Sequence, residues 1–268
     1  MPEAADDPPE IDTSRPSLAR TWDFVLGGKT NFEVDRRAVA AVGATFRGLS
    51  SLAKDARGFL RRGVRHLVGE AGIRQLIDVG SGLPSAGNVH EVAHEIDPTV
   101  RVVYVDLDPL VLAHGRALLA DNLTTTVIEA DAADPDGILD HCETRSFVDL
   151  ERPTAILLSG ILHHLSDGQD PVKVTRVLKD RVSSGSYLLV SNFLDDDEPE
   201  AAVAERAFAE AGLGTLRFRS WDEQQRYFDG LDMVEPGLVY ANDWRPDART
   251  ATDSPWHTFC AGGIGRKP

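Results

Sequence analysis

Apolar residues recur along the chain in two rhythms, and the change between them falls near residue 75. Before it, Leu18, Trp22, Val25 and Leu26 fall at helical spacing, and Gly27-Gly28 stops the run. A second helical stretch starts at about Glu33. A third, roughly 51–70, places Leu52, Ala56, Phe59, Leu60, Val64 and Leu67 on one face, with Gly72 as its stop. After residue 75 the apolar runs become short and dense in Val, Ile and Leu, at 75–79, 102–106, 125–130, 154–159 and 186–192. Such runs suit strands of a parallel sheet covered on both faces.

Helix-start signals lie between these runs. Asp108-Pro109 and Asp170-Pro171 each place a carboxylate cap before a proline suited to the first helical position. Ser220 and Glu223 have capping-box spacing ahead of Tyr227, Phe228 and Leu231. Two late runs, 233–240 and 257–264, are close enough to pair as an antiparallel hairpin. No internal repeat is present. Strand-helix alternation closing on a late strand pair predicts a doubly wound α/β domain. The expected organisation is a disordered, proline-rich acidic tail at 1–15, an N-terminal helical lid at 16–72 and an α/β core at 73–268.

Composition narrows the function classes. A length of 268 residues with 42% hydrophobic content suits one large domain that needs no disulfide framework. Only Cys142 and Cys260 are present, without a CxxC pair, so a reducing cytoplasm is expected. The start lacks a basic segment followed by an apolar one, and no run approaches membrane-spanning length, so neither export nor a membrane partner is expected. A formal charge of -15 argues against a general nucleic-acid binder, whose affinity comes from neutralising phosphates.

The candidate chemistry begins at Leu76-Ile77-Asp78-Val79-Gly80-Ser81-Gly82-Leu83-Pro84, where the first strand ends. Glycines there let the backbone turn sharply and let a ligand approach it, and open α/β sheets bind ligands at the carboxyl ends of their strands. A dinucleotide would rest its diphosphate on a helix N-terminus behind G-x-G-x-x-G, yet the third glycine is Ser85. Asp78, two residues ahead of Gly80, would repel a diphosphate and suits a ligand carrying an ammonium and a sulfonium. The sign of the charge favours S-adenosylmethionine, held at Gly80, Ser81 and Gly82. Asp106, with Leu107 after it, closes the second strand where a ribose diol would be bound. Bonds to such a charged acceptor contribute about 1.5–3 kcal/mol each. Asp108 is better explained as a helix cap. Asp131 can accept from an adenine amino group, and Ala132 leaves room for the ring. Ser159 ends the fourth strand, and His163 and His164 follow it as base candidates. Both also suit a structural reading. His90 and His94 flank Glu91 with H-E-x-x-H spacing, but no third ligand is evident and no metal is expected. Gly27, Gly28 and Asn31 read either as a helix stop with a polar turn or as a lid over the methionine end. The alternatives left open are a non-catalytic S-adenosylmethionine sensor and an NAD-dependent oxidoreductase.

With those residues in place, the chain resembles class I S-adenosylmethionine-dependent methyltransferases. It is similar in particular to an actinobacterial methyltransferase family catalogued as a domain of unknown function. The resemblance is carried by SRPSLARTWDFVLGGKTNF, DVGSGLPSAGNVHEVA, VVYVDLDPLVLAHGRALL, YFDGLDMVEPGLV and the ending GGIGRKP, and covers nearly the whole chain. Phe24 stands where such families favour tyrosine. The resemblance implies a seven-stranded sheet with an antiparallel last strand, bound S-adenosylmethionine and methyl transfer. A small-molecule acceptor is the partner expected.

Overall fold

The computed structural model describes residues 11–84, 87–119, 122–251 and 253–268. Residues 1–10, most of the expected tail, lie outside the described residues. Three helices come first, α1 (Leu18–Val25), α2 (Glu33–Thr45) and α3 (Leu49–Gly69). They lead into β1 (Gln75–Val79), α4 (Val89–His94), β2 (Arg101–Asp106), α5 (Pro109–Leu119) and β3 (Thr125–Glu129). Two short helices, α6 (Pro135–Asp140) and α7 (Cys142–Phe147), precede β4 (Ala155–Ser159), α8 (Pro171–Asp180) and β5 (Tyr187–Phe193). The chain ends with α9 (Pro199–Glu210), α10 (Trp221–Gln225), β6 (Asp232–Met233), β7 (Val239–Tyr240) and β8 (Cys260–Arg266). None of the described helices is long and apolar enough to cross a membrane.

The sheet runs β3-β2-β1-β4-β5-β8-β6, with β7 also on β8. From β3 to β5 all neighbours are parallel, and β8 is antiparallel to β5. The sheet thus has eight strands, not the seven expected. The reason is local. Pro236 cannot donate to a ladder, and the turn at Gly237, whose N–H bonds the Val234 carbonyl at 2.9 Å, splits the 233–240 run into β6 and β7. Both pieces pair with β8, and residues 257–259 form a short 3₁₀ turn before it.

Side-chain alternation separates two apolar layers. Leu76, Val102, Leu157 and Leu189 point into one with Ile264, and Ile77, Val103, Ile156 and Leu188 into the other. Phe59, Leu60, Val64 and Leu67 of α3 belong to the first layer. A Cβ on Gly63 would fall 2.3 Å from Leu189 Cδ1, so the helix presses directly on the sheet. Within the 16–72 segment α3 covers the sheet directly, whereas α2 joins the same apolar layer through Ala38 and Val42 and α1 packs against it through Leu18, Trp22 and Val25.

The end of the tail is tied down more firmly than its composition predicts. Arg20 and Asp35, whose side chains are 4% and 0% exposed, pair at 2.9 Å. The Arg20 guanidinium also donates to the carbonyls of Asp12 and Arg15, and Ile11 packs with Ala19, Leu83, Leu110 and Val111. A buried arginine must spend its donors, and these carbonyls are what it finds.

Candidate functional site

The strand order reverses between β1 and β4, which opens a crevice at their carboxyl ends. β1 runs into Gly80 and Gly82 at φ +71° and +67°, a region glycine enters without a Cβ penalty. The N–H groups of Gly80 and Ser81 donate to the Val105 carbonyl at 2.8 and 3.2 Å, which clamps the turn to β2. A Cβ on Gly80 would fall 2.6 Å from Ile161, whereas the space beside Gly82 is open. Gly82 N–H donates to Asp106 Oδ2 at 2.8 Å, and Asp108 N–H to Asp106 Oδ1 at 2.9 Å. Burial raises the Asp106 carboxyl above the usual carboxylate range, and these two N–H groups work against the rise.

Of the three cavities that border this turn, two meet at Gly80. The larger, about 460 Å³, has Asp106, Leu107, Asp131 and Ala132 on one side and Leu18, Ala19 and Trp22 of α1 on the other. Leu107 is 52% exposed, an apolar side chain facing the cavity instead of the core. Asp131 accepts from Ala133 N–H at 2.8 Å, which fixes its carboxylate at the rim. The smaller, about 110 Å³, is bounded by Asp78, Ser81, Ser159, His163, Phe193, Leu26 and four residues of α3, namely Ala53, Ala56, Arg57 and Leu60. Trp22, Gly80, Gly82 and Gly160 line both. Ser159 Oγ shares a 2.8 Å bond with Ser191 Oγ.

Asp78 sits beside Tyr104 in the β1-β2 register and is 4% exposed. Burial pushes its carboxyl up to about 7, with the Asp106 charge adding and the Arg57 charge opposing. The Tyr104 hydroxyl accepts from His90 N–H at 2.9 Å and bonds His90 Nδ1 at 2.8 Å, and His94 Nε2 bonds the Val100 carbonyl at 2.9 Å. The H-E-x-x-H histidines are thus spent holding α4 to the sheet. Among the described residues no group of three could hold a metal.

The two histidines after β4 differ. His164 has both nitrogens engaged: Nδ1 donates to the Thr215 carbonyl at 3.0 Å, and Nε2 accepts from the Trp22 indole N–H at 3.3 Å. Burial lowers its pKa to about 4, so the ring is neutral and ties α1 to the loop after β4. No nitrogen is left to take a proton, which removes the geometric basis for a base at this position. His163 stacks on Phe193 with centroids 4.0 Å apart, and its Nδ1 accepts from Phe193 N–H at 3.4 Å. Its buried Nε2 has no partner among the described residues, and burial holds its pKa well below the usual histidine value.

Gly27, Gly28 and Asn31 are not brought to either cavity. Asn31 Nδ2 donates to the buried Asp23 carboxylate at 2.8 Å and to the Gly28 carbonyl at 3.2 Å. Gly28 is glycine because a Cβ would fall 2.0 Å from Asp23 Oδ1. The block closes on itself, and α1 reaches the cavities through Leu18, Ala19 and Trp22, with its C-cap Leu26, instead. Ser17, the α1 cap, also donates its hydroxyl to Asp108. The sequence reading overlooked Arg57 and Trp22. Its available signal was the small pair Ala53 and Ala56 beside an arginine on an otherwise bulky apolar stripe.

Comparison with known proteins follows the same line. Residues 4–268 match the S-adenosyl methyltransferase family. The chain belongs to that family. A Thermobifida fusca crystal structure, described provisionally as a methyltransferase, is 44% identical with a TM-score of 0.91, covering 98% of this chain and 99% of its own. A DUF574 family protein from Streptomyces avermitilis is 38% identical with a TM-score of 0.91, covering 97% and 100%. Mitomycin 7-O-methyltransferase MmcR, at 16% identity and a TM-score of 0.52 over 92% of this chain and 60% of its own, shares the fold. The comparison with curated proteins found no match. Family membership agrees with the mostly parallel sheet and its antiparallel β8.

Proposed function

We propose that this chain transfers the methyl group of S-adenosylmethionine to a small-molecule acceptor. The observation that carries the reading is the pair of carboxylates on either side of the Gly80–Gly82 turn, buried Asp78 and half-buried Asp106, each lining a cavity there. The residues present fit that cofactor. The cavity beside Asp106, Leu107 and Asp131 is lined by no lysine or arginine among the described residues, which suits a nucleoside and leaves a diphosphate without a counter-charge. The helix after the turn begins only at Val89, seven residues beyond Gly82, and not directly on the glycines as a diphosphate-binding loop requires. Both points weigh against a nicotinamide dinucleotide.

When bound, S-adenosylmethionine supplies an electrophilic methyl group on a sulfonium, transferred by direct displacement. The chain's own part is to orient and to exclude water. Asp106, pre-set by the N–H groups of Gly82 and Asp108, is aimed to accept from ribose hydroxyls. Asp131 lies at the rim where an adenine amino group would donate, with Ala132 leaving room for the ring. Asp78 would hold the ammonium. Trp22, fixed to His164, roofs the junction of the two cavities. Orientation alone can be worth roughly 7–11 kcal/mol. A general base adds about 10²–10⁴-fold, so the engagement of His164 does not count against transfer. His163 keeps the only unpartnered ring nitrogen of the two. The net charge of -15 supports a small acceptor over a nucleic acid.

Titration calorimetry with S-adenosylmethionine, S-adenosylhomocysteine and NAD tests the first half of this reading. Binding of the first two and not the third is expected, and preference for NAD overturns it. A labelled-methyl assay against small metabolites tests the second half; label that never leaves the cofactor for any of them favours the sensor alternative.

A further inference from the structure

Resting on the S-adenosylmethionine reading, we infer that the acceptor is a small carboxylic acid, held as its carboxylate by Ser159 and methylated on oxygen to an ester. The inference starts from the hydrogens at the β4–β5 end of the small cavity. Ser191 is fully buried, and its hydroxyl has one partner among the described residues, Ser159 Oγ at 2.8 Å. A hydroxyl sealed in a core must place its hydrogen, because a stranded donor is costly. Ser191 therefore donates to Ser159, and Ser159, which lines the cavity, keeps its own hydrogen to give there. His163 offers no lone pair beside it. Its Nδ1 accepts from Phe193 N–H at 3.4 Å, so the one hydrogen of the neutral ring is on Nε2. Asn192, whose amide atoms are buried without another partner among the described residues, acts on the ring as an acceptor of that hydrogen would. His164 has both nitrogens engaged. The rest of this end is apolar, with Trp22, Leu26 and Phe193.

A wall that donates a hydrogen bond and takes no proton selects an acceptor whose nucleophile arrives already bare. At neutral pH a carboxyl group, ordinarily near about 4, is ionised, whereas phenols and alkylamines, near about 10, keep the proton that blocks attack. An imidazole is also bare there, but a donor at Ser159 would occupy the lone pair that must attack. A carboxylate has two oxygens, so one accepts from Ser159 while the other attacks. The attacking oxygen supplies the electron pair of the new C–O bond, the C–S bond breaks with its pair left on sulfur, and no proton needs a destination. The charges of carboxylate and sulfonium cancel, leaving a neutral ester and S-adenosylhomocysteine. Asp78, at the β1 end of the cavity, is answered by the ammonium in the parent reading and does not face the acceptor alone. The net charge of -15 is spread over a surface that salt screens, so it does not decide which charge an apolar corner beside a sulfonium accepts.

The test is titration calorimetry on the full chain saturated with S-adenosylhomocysteine, using benzoate, benzyl alcohol and benzylamine as probes that share one flat apolar body. Benzoate is expected to bind at least about tenfold more tightly than either of the others, the lower range for a hydrogen bond to a charged acceptor. Ser159→Ala should bring that preference to within about threefold, and Ser159→Thr, which keeps a hydroxyl, should retain it. A wild-type preference below about threefold, or no binding of any probe, overturns the inference and leaves the parent reading standing. So does a Ser159→Ala chain that weakens all three probes in equal measure, the mark of a structural role. Failure of the wild-type chain to bind S-adenosylhomocysteine removes the parent reading and this inference together. Nitrogen-15 NMR of the wild-type chain needs no variant: His163 is expected neutral at pH 7 with its hydrogen on Nε2, and a bare Nε2 would supply a base and overturn the inference. In a labelled-methyl assay the transferred label should be released as methanol by mild alkali, as from a methyl ester, and alkali-stable label overturns it.

Discussion

Two glycine turns in this chain look alike on paper and do different work. Gly27-Gly28 and Gly80-Ser81-Gly82 each follow an apolar run, each has a carboxylate just ahead of it, and each opens at positive φ, +86° and +71°. At the first turn the carboxylate is consumed locally: Asp23 is buried, bonds Asn31, and occupies the space a Gly28 side chain would take. At the second, Asp78 and Asp106 border cavities, and Gly82 has open space beside it. The lesson is that a glycine marks a close approach without saying whether protein or ligand makes it.

That contrast can be broken in four places. The largest effect is expected at Gly80→Val, which forces a β-branched side chain into a left-handed position 2.6 Å from Ile161. S-adenosylmethionine affinity should fall by more than about 100-fold in calorimetry, a loss set by distortion of the turn. A folded variant, checked by circular dichroism, that binds within tenfold of wild type would show that this turn is not a cofactor loop.

Asp106→Asn keeps the size and removes the charge, so affinity should drop about 10- to 100-fold, the range for hydrogen bonds to an ionised acceptor. An unchanged Kd would move the ribose elsewhere.

The third effect concerns pH. Burial holds the Asp78 carboxyl at about 7, and only its ionised form can pair with an ammonium. Affinity should therefore rise with pH by up to about tenfold per unit below 7 and level off above it. In the ligand-free chain the folded state keeps this proton longer than the unfolded state, whose value is near 3.8, so the group's contribution to stability falls as pH rises between the two. Asp78→Asn should flatten the pH dependence of binding, and raise Tm at pH 8 while weakening binding, a trade seen where active sites store destabilised groups. A profile still rising between pH 5 and 7 in the variant would place the titrating group elsewhere.

The smallest effect on binding is expected at the first turn. Asn31→Ala strips a donor from buried Asp23, which should cost about 1–3 kcal/mol of stability in denaturant unfolding. Affinity should change by less than about threefold, because Asn31 lines neither cavity. A tenfold loss of affinity without loss of stability would restore the lid role that the sequence suggested for Gly27, Gly28 and Asn31.

Much of the fold was legible because its signals are local. Leu76 and Ile77 are neighbours sent to opposite layers, and a run of such residues announces a doubly covered strand wherever it folds. Asp108 and Asp170 cap α5 and α8 through their own backbone neighbours, Leu110 N–H at 2.8 Å and Lys173 N–H at 3.0 Å. The break between β6 and β7 escaped the hydrophobic pattern because Val234 and Leu238 continue the apolar run across Pro236. His164 escaped for another reason. Its partners, Trp22 and Thr215, lie far from it in sequence on either side, and no spacing rule connects the three.

By itself the sequence determined the order of helices and strands and the acids Asp78, Asp106 and Asp131 at the strand ends. Each of these follows from residues within a turn or a strand of one another. Only the tertiary structure decided which glycine turn faces a cavity, that His164 is a strut, and that α3 brings Arg57 opposite Asp78. Those outcomes depend on how the helices α1 and α3 settle on the sheet, and packing between distant segments is set by the shape of the whole core.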